Sequence, residues 1–77
     1  MLNLFYYPRL KDLREDKDLF QKDIALILKT NERQYGRWET GDTQIPAHNL
    51  IALADFYNTS VDYILGRTND IKPCSKK

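Results

Sequence analysis

Gln21–Gly41, QKDIALILKTNERQYGRWETG, is the stretch whose reading decides the fold. Its apolar residues do not follow a single helical period. Ile24, Ala25 and Leu28 stand at i, i+1 and i+4, which predicts the inward face of one short helix. Tyr35 and Trp38, three apart, line the inward face of a second. Lys29-Thr30-Asn31 between them has no apolar residue to continue either stripe. Asn31 and Gln34 have the spacing of a capping box, so a new helix starts there. Two short helices around a three-residue break are the sequence form of a helix-turn-helix.

Upstream, Pro8 suits the first turn of a helix, where its missing N–H is not required. Arg9 to Lys17 reads as helix one, with Leu10 and Leu13 inward and Lys11, Asp12, Arg14, Glu15, Asp16 and Lys17 forming a solvated face. Phe5, Tyr6 and Tyr7 lean on the same core, with at least one left exposed. Lys17-Asp18-Leu19-Phe20 is a tight connection that puts Phe20 where a capping Ser, Thr, Asp or Asn is favoured. A missing cap costs about 1 kcal/mol, and packing by Phe20 is expected in its place.

Downstream, Asp42-Thr43-Gln44-Ile45 is a polar loop closed by Pro46. Helix four follows from Pro46 to Tyr57, its inward stripe Leu50, Leu53, Ala54 and Tyr57 at i, i+3, i+4 and i+7. Asn58 is a left-handed terminator. Ser60 caps a last helix, Val61 to Leu65, with Asp62 in its first turn and Gly66 at its end. Residues 67–77, with Pro73 and four basic residues, read as a basic flexible tail. The expectation is all-α: five short helices in one domain over residues 1–66, then the tail.

Composition limits what such a domain does. At 77 residues and 42% hydrophobic content it has a core near the lower limit of sufficiency. Its single cysteine, Cys74, allows no intramolecular disulfide. No apolar run approaches a membrane span of about 18 residues, and the Leu2–Tyr7 start lacks the basic region and cleavage site of a signal peptide. A soluble cytoplasmic protein is the default. Arg67, Lys72, Lys76 and Lys77 against Asp70 give residues 66–77 a charge of +3, leaving −2 for the rest of a chain of net charge +1. Duplex-binding domains are usually more basic, so placement of charge matters more than its total. His48 stands alone, and no paired carboxylates, metal-ligand spacing or phosphate-cradling glycine loop appears. No enzyme and no cofactor are expected.

In order and at family spacing, several residues are similar to the phage repressor and Cro-type helix-turn-helix domain, the XRE family. They are Leu10, Leu13-Arg14, Gln21, Ala25, Arg37-Trp38-Glu39, Gly41, Leu50-Ile51-Ala52-Leu53-Ala54, Tyr57-Asn58 and Ser60-Val61-Asp62-Tyr63-Ile64-Leu65-Gly66. The resemblance covers about three quarters of the chain, Arg9 to Gly66. It departs at Lys29, where the family usually has a glycine with positive φ, at Thr30 in place of Val or Ile, and at Gly36 inside the second helix of the motif.

The resemblance implies a five-helix lambda-repressor-like domain that binds a palindromic operator in double-stranded DNA as a homodimer, with the second helix of the motif in the major groove. It puts Glu32, Arg33 and Arg37 at base-contacting positions, where arginine pairs with guanine O6 and N7 and glutamate accepts from cytosine N4. It makes Gln21 the phosphate clamp, with Lys29, Asn31, Gln34 and Thr40 as further phosphate contacts by position. Surface charge, caps and loop bonds are the alternatives for these residues. Arg14 and Glu39 match a buried structural ion pair. Phe56, Tyr63 and Ile64 exceed what the inward stripe needs and are read as the dimer interface, with core filling the other possibility. No sensing domain follows in the sequence, which favours a small Cro-like repressor with no small-molecule effector. The rival from another class is a protein-interaction module or antitoxin that keeps the fold without binding DNA.

Overall fold

Five helices run through residues 5–73, the part of the chain that the computed structural model describes: α1 (Arg9–Asp16), α2 (Gln21–Ile27), α3 (Glu32–Thr40), α4 (Ala47–Tyr57) and α5 (Val61–Leu65). Among the described residues there is no strand. Helix starts follow local chemistry. Asn31 and Ser60 cap α3 and α5, their side chains accepting from the N–H of Gln34 at 2.8 Å and Tyr63 at 3.0 Å. Phe20 offers no acceptor, so α2 keeps only the reciprocal half of a capping box: the Phe20 N–H donates to Asp23 Oδ2 at 2.8 Å. Phe20 is 66% exposed, so the packing expected of it is not made.

Every helix ends the same way. The residue after the last turn takes positive φ: Asp18 (57°), Lys29 (60°), Gly41 (83°), Asn58 (55°) and Gly66 (83°). Its N–H and the next one then reach back to the last free carbonyls. At the end of α2, Lys29 N donates to Leu26 O at 3.2 Å and Thr30 N to Ala25 O at 2.9 Å. The same pair recurs at Asp18/Leu19, Gly41/Asp42, Asn58/Thr59 and Gly66/Arg67. This is the Schellman motif, which satisfies orphan carbonyls and turns the chain within two residues. It is why such short helices stack closely. Lys29 therefore does adopt the left-handed conformation that its β-carbon disfavours.

The core is the set of inward stripes: Leu10, Leu13, Ile24, Ala25, Tyr35, Trp38, Leu50, Leu53, Ala54, Tyr57 and Ile64, joined by Ile45. Ile45 departs from the reading of 42–45 as a polar loop, because it is only 2% exposed. Ile64 is 1% exposed and belongs to this core, so it is not available to a partner, and the core-filling alternative holds for it. Tyr7 packs on the core, whereas Phe5 and Tyr6 are exposed.

Within residues 67–73, Thr68, Asn69 and Ile71 make hydrogen bonds to the helical body. The Arg9 guanidinium donates to Tyr63 O at 2.8 Å, to Thr68 O and to Asn69 Oδ1 at 2.8 Å. It also stacks over the Tyr63 ring at 3.9 Å. Thr59 Oγ1 donates to Ile71 O. Cys74, Lys76, Lys77 and the Leu2–Leu4 start, on which sequence readings were made, lie outside the described residues. No helix among the described residues is long and apolar enough to cross a membrane.

The left-handed lysine gives a stability prediction. Lys29→Gly removes a β-carbon strain of about 1–2 kcal/mol and gives back about 0.4–1 kcal/mol through a more flexible unfolded chain. A net gain of roughly 0.5–1 kcal/mol in urea denaturation is expected. A lower midpoint would show that Lys29 makes a compensating contact.

Candidate nucleic-acid interface

α3 divides sharply between two faces. Tyr35 (0% exposed), Trp38 (6%) and Glu39 (5%) are locked inward, while Glu32, Arg33, Arg37 and Thr40 are exposed and Gln34 and Gly36 lie between. Spacing at 3.6 residues per turn produces this split. The Asn31 cap and the acidic Glu32 in the first turn both suit the positive end of the helix. The short turn at Thr30 sets α3 against α2, so that Gln21, Asn31, Glu32, Arg33 and Gly36 line one shallow concavity.

Beneath this face lies the bond that fixes α3 to the body. Arg14 of α1 meets Glu39 through two parallel bonds, Nε to Oε2 at 2.8 Å and Nη2 to Oε1 at 2.9 Å. Both residues are over nine-tenths buried. Arg14 Nη1 also donates to Leu19 O at 2.8 Å, in the connection between α1 and α2. Gln21 Nε2, at the start of α2, donates to Glu39 Oε1 at 3.0 Å. One carboxylate thus joins the first three helices.

The charges follow this geometry. Burial alone would raise the Glu39 carboxyl, but bonds from Arg14 and Gln21, with Tyr35 facing it, outweigh burial and hold it below its ordinary value. The Glu39 carboxylate raises Arg14 in turn. Burial and the nearby Glu39 charge push the Tyr35 and Tyr57 hydroxyls well above the usual tyrosine range. Both hydroxyls are buried without completing a hydrogen bond among the described residues.

The structure places the other sequence-identified residues as follows. Among the described residues, Glu32, Arg33 and Lys29 enter no ion pair. Arg37 is less free, with its Nε 3.6 Å from Asp42 Oδ2, both side chains being well exposed. Such an exposed pair is worth about 0–1 kcal/mol and breaks easily. Thr40 Oγ1 donates to Arg37 O at 3.2 Å, a loop bond of its own helix end. Asn31 Oδ1 is committed to the cap, which leaves its amide N–H groups for another acceptor. Phe56, exposed, and Tyr63, half-buried under Arg9, stand on α4 and α5 and are not part of the α2–α3 concavity. No group of His, Cys, Asp and Glu among the described residues is arranged to hold a metal ion.

Sequence reasoning missed Arg9, which looks like one more surface charge at the start of α1. Nothing local signals its bonds to Tyr63, Thr68 and Asn69, which are more than fifty residues away. It also missed that the Gln21 carboxamide lies over Gly36. The only hint was a glycine inside a helix, which marks either close approach or strain.

The family model described as Helix-turn-helix matches residues 10–64. The chain is also similar to an uncharacterized HTH-type transcriptional regulator, YobD, of Bacillus subtilis (strain 168), with 37% identity over 68 residues. That alignment covers 88% of this chain and 61% of the relative, so the chain spans about three fifths of the relative's length.

Two outcomes test the buried pair. Glu39→Ala leaves the Arg14 guanidinium buried and unpaired, which costs about 3–5 kcal/mol. That is a large share of the stability of a domain this small, about 4–12 kcal/mol, so Glu39→Ala should be largely unfolded by circular dichroism. An unchanged melting temperature would refute this role. The depressed Glu39 carboxyl contributes stability that is complete above its unfolded value near 4.5 and is lost as pH falls through the lower folded value. Urea midpoints should therefore fall more steeply on acidification for wild type than for Glu39→Gln. Parallel acid profiles would assign the acid sensitivity elsewhere.

Proposed function

This chain belongs to the helix-turn-helix family, and from that premise we propose that it is a transcriptional regulator binding double-stranded DNA sequence-specifically. On this reading α3 enters the major groove, and a homodimer places two such helices on a palindromic operator. One observation carries it. The inner face of α3 is fixed by burial and by the Glu39 network, while Arg33 in its first turn is exposed and has no ion pair among the described residues. A rigid helix presenting an unneutralised guanidinium suits bidentate pairing with guanine O6 and N7.

In this proposal Glu32, Arg33 and Arg37 meet base edges, Arg37 after releasing Asp42. Gln21, Lys29, Asn31, Gln34 and Thr40 meet phosphates and fix the register. Lys29 sits at the turn with its ammonium in solvent, which suits a point-charge contact. Phe56 and Tyr63 form the dimer contact, without Ile64, and the protein acts as a small Cro-like repressor. A second reading is favoured by another observation: Phe20, Leu26 and Ile27 on and before α2 are 66%, 79% and 41% exposed. An apolar surface of that kind suits a protein partner, as in a protein-interaction module that keeps the fold.

Operator selection from a random duplex pool, followed by anisotropy titration over a salt series, separates the two. The expected result is an inverted-repeat site, a steep salt slope and a loss of about 1–3 kcal/mol for Arg33→Ala at one defined base pair per half-site. Weak uniform binding with no enriched sequence favours the protein-partner reading.

A further inference from the structure

We infer that Gly36 is a specificity-determining residue, leaving room beside the Gln21 carbonyl oxygen for the exocyclic amino group of an adenine or cytosine in the major groove. The inference rests on the DNA-binding reading proposed above and deepens it. The Gln21 carboxamide lies across Gly36: a β-carbon built at Gly36 would stand 3.3 Å from Gln21 Oε1, 3.8 Å from Cδ and 3.9 Å from Nε2. Which end of this amide faces which neighbour is fixed by chemistry. Glu39 is an ionised carboxylate and only accepts, so the amide nitrogen must face it, as the 3.0 Å bond from Nε2 requires.

That leaves the carbonyl oxygen on the Gly36 side. Oε1 accepts no hydrogen bond from the described residues and is not among the buried unpaired atoms, so it opens on the concavity lined by Gln21, Asn31, Glu32, Arg33 and Gly36. Glu32, whose carboxylate is a second acceptor-only group, is among the residues lining the same concavity. Beside Gly36 these two acceptors disfavour guanine O6 and N7. They match a donor, and the donors that base edges present in the major groove are adenine N6–H2 and cytosine N4–H2. Arg33, which lines the same concavity, supplies the opposite pattern for a neighbouring guanine.

Glycine suits this because a β-carbon at position 36 would stand 3.3 Å from Oε1, so Gln21 would have to shift by a few tenths of an ångström and the space beside its oxygen would narrow. In every other respect an interior helical glycine is unfavourable, by about 1 kcal/mol relative to alanine. Gly36→Ala is therefore a suitable probe, since helix propensity favours its folding. The bond from Gln21 to Glu39 holds the carboxamide where it meets that β-carbon.

The experiment is operator selection with wild type and Gly36→Ala in parallel, each checked for folding by circular dichroism. Binding is then titrated to the selected duplex and to one in which the amino group of the implicated base is deleted (purine for adenine, 2-pyrimidinone for cytosine). The expected result is an adenine or cytosine preference at one position per half-site for wild type, a roughly ten-fold loss on deleting the amino group, and neither effect in Gly36→Ala. The preference assigned to Arg33 stays the same in both. If both proteins select the same sequence with the same sensitivity to the deleted amino group, the role of Gly36 is overturned and the DNA-binding reading stands. If neither protein enriches any sequence, that reading fails and this inference falls with it.

Discussion

The fold hangs on one carboxylate. Glu39 is 5% exposed at the C-terminal end of α3, yet it remains ionised because Arg14 meets it with two parallel bonds and Gln21 adds a third. Taking both charges out of water is costly, and good geometry with further hydrogen bonds is what repays it. Here Arg14 also binds Leu19 O, so the network reaches α1, the connection to α2, the start of α2 and the end of α3. An apolar pair of similar volume would hold the same helices together with less directional preference. The ionic arrangement instead fixes how α3 is seated on α1, since a fork meeting a carboxylate tolerates little rotation.

Much of this was legible in the sequence. The two separate apolar stripes of Gln21–Gly41, the caps Asn31 and Ser60, and the terminators Asn58 and Gly66 are local signals, read within four residues of where they act. The helix boundaries follow from them to within one residue: helix one ends at Asp16, one before the expected Lys17, and helix four begins just after Pro46. The Arg14–Glu39 match came from family resemblance, because nothing in a run of alternating charges marks one arginine as buried. For the same reason Arg9 was missed. Ile45 was misread because a lone apolar residue in a polar loop has no periodicity to place it. Ile64 was ambiguous because a five-residue helix is too short for its stripe to be defined.

Lys29 and Gly36 are where the sequence departs from the family pattern, and the structure gives the two departures different physical characters. At Lys29 the turn demands positive φ and the residue is simply strained, since the same Schellman bonds form that a glycine would allow. Strain maintained at a turn beside a functional face suggests a use for the side chain, and an exposed ammonium next to the start of α3 is a suitable one. At Gly36 the situation is reversed. The helix would be better served by alanine, and the glycine makes sense only through what occupies the space above it, the Gln21 carboxamide. Local rules broken without local reward tend to mark sites of function.

The same carboxylate that builds the fold also shapes the proposed reading surface. By accepting from Gln21 Nε2, Glu39 turns the carboxamide so that its oxygen faces the concavity. A side chain that would otherwise rotate freely between donor and acceptor is thereby committed to one. Its second amide hydrogen is not used in that bond, which on the proposed reading leaves Gln21 one donor for a phosphate. On that reading Lys29 and the Asn31 amide, the donors flanking the turn, add further phosphate contacts. On the proposed reading Arg37, 3.6 Å from Asp42, engages a base only once that exposed pair opens. On the proposed reading, discrimination is therefore concentrated in the first turn and a half of α3, over Glu32, Arg33 and Gly36. The remaining turn of the helix serves mainly to hold that segment against the body.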